Sequence, residues 1–192
     1  MTATQALDQN YRTIGGPTDG QKATYSAAKV GLVPGASATD IFTITGSASK
    51  TIRVTRIEIV GTSTSATPAA LDVLLLKRST ANSAGTSTGS PTPVAHDSTD
   101  AAPSATVLSY TAPPTTGTLV GTALRNQKLM LALATYTATD FPPMDRVNWE
   151  FGNRPSKAVT LRGTNEVLAV NLNGVTPTAT ASVDVMIEWS EE

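Results

Sequence analysis

A chain of 192 residues and 19.8 kDa is long enough for one domain whose folding buries roughly 70% of its extended surface. Its 32 Thr, 26 Ala and 16 Ser, with 15% charged and 5% aromatic residues, lack the Glu, Lys, Leu and Arg excess of long helices and the high net charge of disordered chains. A net charge of -1 excludes the basic footprint of a dedicated nucleic-acid or anionic-membrane binder, and zero cysteines with one histidine exclude disulfides, thiolate metal sites and zinc sites needing two imidazoles.

Residues 1–21 are polar, carry the turn-forming stretch Gly15, Gly16, Pro17, Thr18, Asp19, Gly20, and have no periodicity that buries a face. They are predicted to be an extended arm that stays disordered or orders against a neighbouring subunit, ahead of a single β domain over 22–192. The arm's large apolar anchors are Leu7, Tyr11 and Ile14, which together with Arg12 are the candidate partner-binding residues. Residues 2–9 are the only candidate helix. The arm has no apolar run of the about 7–15 residues a signal peptide needs, and no run of about 18 suggests a membrane span, so a soluble protein made in a cytosol is expected.

From about residue 22 the pattern is strand-like. Ile41–Thr45 is a predicted strand, and Lys50–Val60 is another whose alternation changes phase: Ile52 and Val54 share one parity, Ile57 and Ile59 the other. One extra residue near Thr55 and Arg56, a β-bulge, returns all four to the core; a strand crossing between two sheets is the alternative. Residues 61–70 and 79–93, rich in Gly, Pro, Ser and Thr, read as loops. Leu71–Leu76 and Val167–Leu172 are apolar on both parities, which suits central strands covered on both faces or facing another subunit. Thr106–Tyr110, Thr118–Thr122, Gln127–Leu133, Arg146–Phe151, Lys157–Arg162 and Ser182–Trp189 complete the set. In the last, Val183, Val185, Ile187 and Trp189 alternate against Asp184, Met186 and Glu188. Asn173-Gly174 is the best hairpin signal, because both residues tolerate positive φ. Many short strands without connecting helices predict an all-β fold: a two-sheet antiparallel β-sandwich, jelly-roll-like, with an immunoglobulin-like topology left open.

No motif carries convincing chemistry. Gly85-Thr86-Ser87-Thr88-Gly89 matches the nucleophile elbow G-x-S-x-G, yet it lies in a Gly/Ser/Thr/Pro loop with no helix after it and no acid between Ser87 and the sole histidine. His96, Asp97 and Asp100 contain metal-ligand types, but their spacing reads as a strand end followed by an Asx-type turn. Glu58, Glu150 and Glu188 alternate with core residues and are expected to face solvent or pair with Arg53, Arg56, Arg146 or Arg162. No catalytic residue, metal ligand or cofactor is therefore assigned.

Two strings carry a resemblance: R-V-N-W-E-F-G-N-R-P-S-K-A-V-T-L-R-G-T-N-E-V-L-A-V-N-L-N-G-V, Arg146 to Val175, and the closing V-D-V-M-I-E-W-S-E-E. Together with A-H-D-S-T-D-A-A they resemble small virion structural proteins of tailed bacteriophages over about residues 38–192. The resemblance implies a non-enzymatic β-sandwich, frequently a homotrimer, bound to the major capsid protein or another virion component. It would be made in the bacterial host cytoplasm and reside on the particle surface, with no nucleic-acid or membrane partner. A head decoration or cement protein is the leading expectation. The alternatives are a neck or tail-associated protein, a carbohydrate-binding host-attachment module with Trp149 or Trp189 as stacking platform, and a polysaccharide hydrolase using Glu58, Glu150 or Glu188.

Overall fold

A computed structural model describes residues 22–64, 69–87, 89–133, 145–152, 157–177 and 180–192; the arm residues Leu7, Tyr11, Arg12 and Ile14 and the candidate helix 2–9 lie outside these. In chain order the strands are β1 (Ala23–Leu32), β2 (Asp40–Thr45), β3 (Ile52–Ser63), β4 (Ala69–Arg78), β5 (Val94–Ala95), β6 (Thr106–Ser109), β7 (Arg125–Leu133), β8 (Arg146–Glu150), β9 (Val159–Leu161), β10 (Val167–Asn171) and β11 (Ala181–Glu191). Among the described residues there is no helix, and so none long and apolar enough to cross a membrane.

Two antiparallel sheets face each other. The first runs β5-β1-β11-β3, with β8 and β9 placed end to end along the far edge of β3; the second runs β6-β2-β10-β4-β7. The tip of β7 joins them, where Ala132 and Leu133 run parallel to Thr62 and Ser63 of β3. With β8 and β9 counted as one interrupted strand and β5 and β6 set aside as parts of an insert, eight strands remain. They are ordered β1-β11-β3-β8/β9 in one sheet and β2-β10-β4-β7 in the other. Strands successive in sequence mostly cross between sheets, the wrapping of a jelly roll and not the successive hairpins of an immunoglobulin-like sandwich.

Alternation explains the core. Val183, Val185, Ile187 and Trp189 of β11 are 0–2% exposed and interlock with Ile52, Val54, Ile57 and Ile59 of β3, while Phe42, Ile44, Val73, Leu75, Leu168 and Val170 line the facing sheet. Each such side chain contributes about 1.5–3 kcal/mol on full burial. The phase change in β3 is a bulge: Glu188 pairs with Arg56 and the next residue, Trp189, pairs with Val54, which leaves Thr55 as the extra residue. The Thr55 hydroxyl donates to the Glu188 carbonyl at 3.2 Å, satisfying the interrupted ladder.

Other expectations need correction. Gly61–Ser63 continues β3 against Ala181–Val183 and Ala69–Ala70 opens β4, so the expected loop over 61–70 shrinks, with 65–68 outside the described residues. Thr118–Thr122 is not a strand: Leu119 makes an isolated bridge to Arg78, and Gly121 at φ +69° bends the chain into β7. Asn173 and Gly174 adopt φ +59° and +70° as expected, yet they join no hairpin. The Gly174 N–H donates to Ala38 O, and the chain then leaves β10 for β11 in the opposite sheet. β1 and the short β5 were hidden from periodicity because small residues such as Ala27 and Ala28 occupy both faces of β1.

Candidate functional site

The long excursion between β4 and β7, residues 79–124, contains β5 and β6 and extends both sheets at their outer strands: β5 against β1, β6 against β2. Its limbs run antiparallel through Ser83 and Thr115, which exchange hydrogen bonds of 2.9 and 2.7 Å. Two buried carboxylates fasten it to the body.

The first is Asp40, 1% exposed. Arg78 donates to both its oxygens, Nε to Oδ2 and Nη2 to Oδ1, each at 2.7 Å. Asn82 Nδ2 donates to Oδ2 at 2.8 Å and Asn171 Nδ2 to Oδ1 at 2.6 Å. A carboxylate accepts about four hydrogen bonds, so Asp40 is saturated. The network reaches the insert through Gly117, whose carbonyl accepts from Arg78 Nη1 at 2.8 Å and whose N–H donates to Asn82 Oδ1 at 2.9 Å. Only glycine fits there: a Cβ would stand 1.9 Å from Thr80 O. Tyr110 lies beside this network, and its phenol is pushed above the ordinary tyrosine range by burial, against hydrogen bonds with Thr43 and Asn82.

The second is Glu191, 3% exposed. It accepts from the backbone N–H of Ser104 at 3.0 Å and of Ala105 at 3.1 Å, from the Ser104 hydroxyl at 2.6 Å and from Trp189 Nε1 at 3.1 Å. Burial alone would raise its carboxyl, but the donors from Ser104, Trp189 and Ala105 outweigh it and hold the group below the usual glutamate range. Tyr25, stacked on Trp189 with ring centroids 5.8 Å apart, donates to Ala101 O at 2.7 Å, and burial raises its phenol first, with Glu191 adding to it.

Between the insert and the outer face of the second sheet lies a concavity of about 510 Å³. Thr45, Ser47, Ser49, Thr106 and Tyr110 supply hydroxyls, Val167 lies on the sheet side, and among the described residues no carboxylate or imidazole lines it. A second concavity of about 350 Å³ lies where the margins of the two sheets meet. It is lined by Arg53, Lys77, Lys157 and Arg162 together with Leu124 and Val159.

The residues singled out from sequence fall elsewhere. His96 is exposed beside β5, and Asp97 closes the expected Asx turn: its Oδ1 accepts from the Thr99 N–H at 2.8 Å and the Thr99 hydroxyl at 2.7 Å, and these two bonds, the backbone one first, lower its pKa. Ser87 is followed by no helix, and Thr88 of the same motif lies outside the described residues. Glu58, Glu150 and Glu188 come together on the outer face of the first sheet, where Arg56 pairs across to both Glu188 and Glu150. Glu58 forms ion pairs with Arg56 and Arg146, as the alternation suggested, whereas Arg53 pairs with Glu192 at 2.9 Å, a partner the alternation did not point to. Trp189 at 0% and Trp149 at 7% exposure are core residues and give no stacking platform. No group of three or more His, Asp or Glu side chains among the described residues is placed to hold a metal ion.

Sequence reasoning missed Asp40, Arg78, Asn171 and Glu191, whose partners lie far away in the chain. Comparison with protein-family models, curated proteins and solved structures finds no match to this chain.

Proposed function

We propose that the chain is a non-enzymatic structural protein of a tailed-bacteriophage virion, a head decoration or cement protein that binds the capsid as a homotrimer. The observation that carries the non-enzymatic part is where the buried ionised groups go. Asp40 and Glu191 have their oxygens occupied by donors that clamp the insert to the body, so neither is poised to move a proton. Such staples supply rigidity, which a lattice-bound protein uses at every copy. The virion part is supported by the resemblance of Arg146–Val175 and Val183–Glu192, segments that build β8 to β11 of both sheets. Weak individual contacts repeated over a shell act with high avidity.

The test is co-sedimentation of purified protein with particles lacking it. The full chain is expected to pellet with the particles, and a chain beginning at residue 22 to stay folded but pellet less. Equal pelleting of both would remove the arm, with Leu7, Tyr11, Arg12 and Ile14, from the binding site; failure of the full chain to pellet would remove the decoration role.

One observation favours a second reading, a carbohydrate-binding host-attachment module: the hydroxyl-lined concavity beside Tyr110. Retention on a glycan panel, lost on Thr45→Val and Thr106→Val substitution, is its expected mark. Absence of retention on every glycan would reject it.

A further inference from the structure

The groove where the margins of the two sheets meet is lined by Arg53, Lys77, Lys157 and Arg162 and, among the described residues, by no carboxylate. Two of these cations have counter-ions that lie outside its lining: Glu192 at 2.9 Å from Arg53 Nε and Glu166 at 3.2 Å from Lys77 Nζ. Lys157 and Arg162 are exposed, and their side chains pair with no carboxylate among the described residues. Arg53 shares the outer face of the first sheet with Glu58, Glu150 and Glu188, and none of these three lines the groove. Exposed Leu124 and half-buried Val159 give it an apolar wall.

The groove follows β9, which among the described residues pairs with β3 alone. Backbone groups along and beside β9 are nevertheless already taken by side chains. Lys77 Nζ donates to Thr160 O at 2.9 Å, the Thr160 hydroxyl donates to Ala158 O at 3.2 Å, and the Arg162 N–H donates to Glu166 Oε2 at 2.8 Å. An added strand would find little main chain to bond, so the edge is blunted and recognition falls to side chains. Lys157 and Arg162 flank β9, about 17 Å apart along an extended chain. A ligand that meets both is a chain of several residues.

We propose that the groove binds an extended acidic segment of the protein's partner in the particle, with carboxylates on Lys157 and Arg162 and an apolar side chain against Leu124 and Val159. This rests on the decoration role proposed above and gives the chemistry of the partner surface that the groove takes. Charge complementarity selects the occupant, because two free cations beside an apolar wall match a peptide that mixes acidic and apolar residues. Residues 1–21 carry only Asp8 and Asp19 against Arg12, too little acid for the arm to be that segment. A nucleic-acid backbone continuing past Arg53 over the outer face would meet Glu58, Glu150 and Glu188, which disfavour it by repulsion. Exposed charges act over a Debye length of about 8 Å at physiological salt, so the contact is salt-sensitive.

Fluorescence anisotropy of the full chain with a fluorescein-labelled peptide, Glu-Leu-Glu-Glu-Leu-Glu, tests the proposal. Binding is expected in low salt, weakening as salt rises, and is expected to be lost when every glutamate of the peptide is replaced by glutamine. Lys157→Glu with Arg162→Glu is expected to weaken it at least about tenfold, and the milder Lys157→Gln with Arg162→Gln pair less. Lys29→Glu with Lys128→Glu changes the net charge by the same amount away from the groove and is expected to leave affinity within about twofold. Circular dichroism verifies that every variant is folded. No binding of the acidic peptide, equal binding of the glutamine peptide, or an equal loss from the remote pair would each overturn the proposal. So would full displacement by inorganic phosphate at matched ionic strength, or tighter binding of a duplex DNA oligomer that the groove reversal abolishes. With particles, the groove reversal is expected to reduce pelleting; unchanged pelleting would remove the groove from the contact and leave the decoration role standing. Peptide binding by a chain that never pellets would remove the role and leave the groove's preference for acidic segments.

Discussion

Arg78 and Asp40 form a bidentate ion pair, two hydrogen bonds of 2.7 Å, at 5% and 1% exposure, with β10 between their strands in the sheet. Such a pair adds little net stability over an apolar replacement, but its geometry admits one arrangement of the groups around it. Asn82 and Gly117 of the insert belong to that arrangement. The pair therefore decides where residues 79–124 lie.

Asp40→Asn leaves the Arg78 guanidinium buried without a counter-charge. The expected loss is about 3–5 kcal/mol in urea unfolding, with faster proteolytic nicking in the insert. Arg78→Met paired with Asp40→Leu is expected to cost less than Asp40→Asn alone. The reverse ranking would show that the ion pair itself, and not the orphaned charge, sets the energy.

Gly117→Ala places a methyl group against the Thr80 carbonyl, a backbone atom with little room to yield. A loss of about 1–3 kcal/mol is expected, the range for overpacked sites. Gly117 donates to Asn82 and accepts from Arg78, so the same substitution should raise hydrogen exchange of the Thr118 and Ser79 amides. Wild-type exchange would mean the insert tolerates displacement at that point.

Glu191 carries a pH signature. Its folded carboxyl is held below the ordinary range, so its stabilisation is complete above the unfolded-state pKa, where both states are ionised. As pH falls, the unfolded chain takes up the proton first, and the contribution disappears by the time the folded carboxyl is protonated. Chemical unfolding as a function of pH should show stability falling on the acid side of the usual glutamate range. Glu191→Gln should flatten that limb and lower neutral-pH stability by about 1.5–3 kcal/mol. An acid limb unchanged by the substitution would assign the acid sensitivity to other groups.

The tryptophans report on the sandwich. With Trp189 and Trp149 buried, native emission is expected to be blue-shifted and poorly quenched by acrylamide, and unmoved by glycans. Strong quenching before unfolding would place at least one indole on the surface.

Much of this was legible in the sequence because a strand's side chains alternate without regard to context. Val183 to Trp189 and the phase slip between Val54 and Ile57 could be read directly; the slip called for a bulge near Thr55 and Arg56 or a strand crossing between sheets, and the register decides for the bulge, at Thr55. The buried anchors could not. Asp40 meets Arg78 across 38 residues, Asn171 meets Asp40 across 131 and Glu191 meets Ser104 across 87, and no local pattern distinguishes such groups from surface ones. Asn173-Gly174 shows the same limit: local geometry fixed the turn, while the sheet that the chain enters next was decided by the wrapping of the whole molecule.

The most direct measurement is to find the protein in its particle. Virions purified from cells that encode this chain should contain it in many copies by quantitative mass spectrometry, and gold-labelled antibody to residues 22–192 should decorate the heads. Virions that are complete and infectious without a detectable copy of the protein in them, or label confined to free protein in the lysate, would contradict the account.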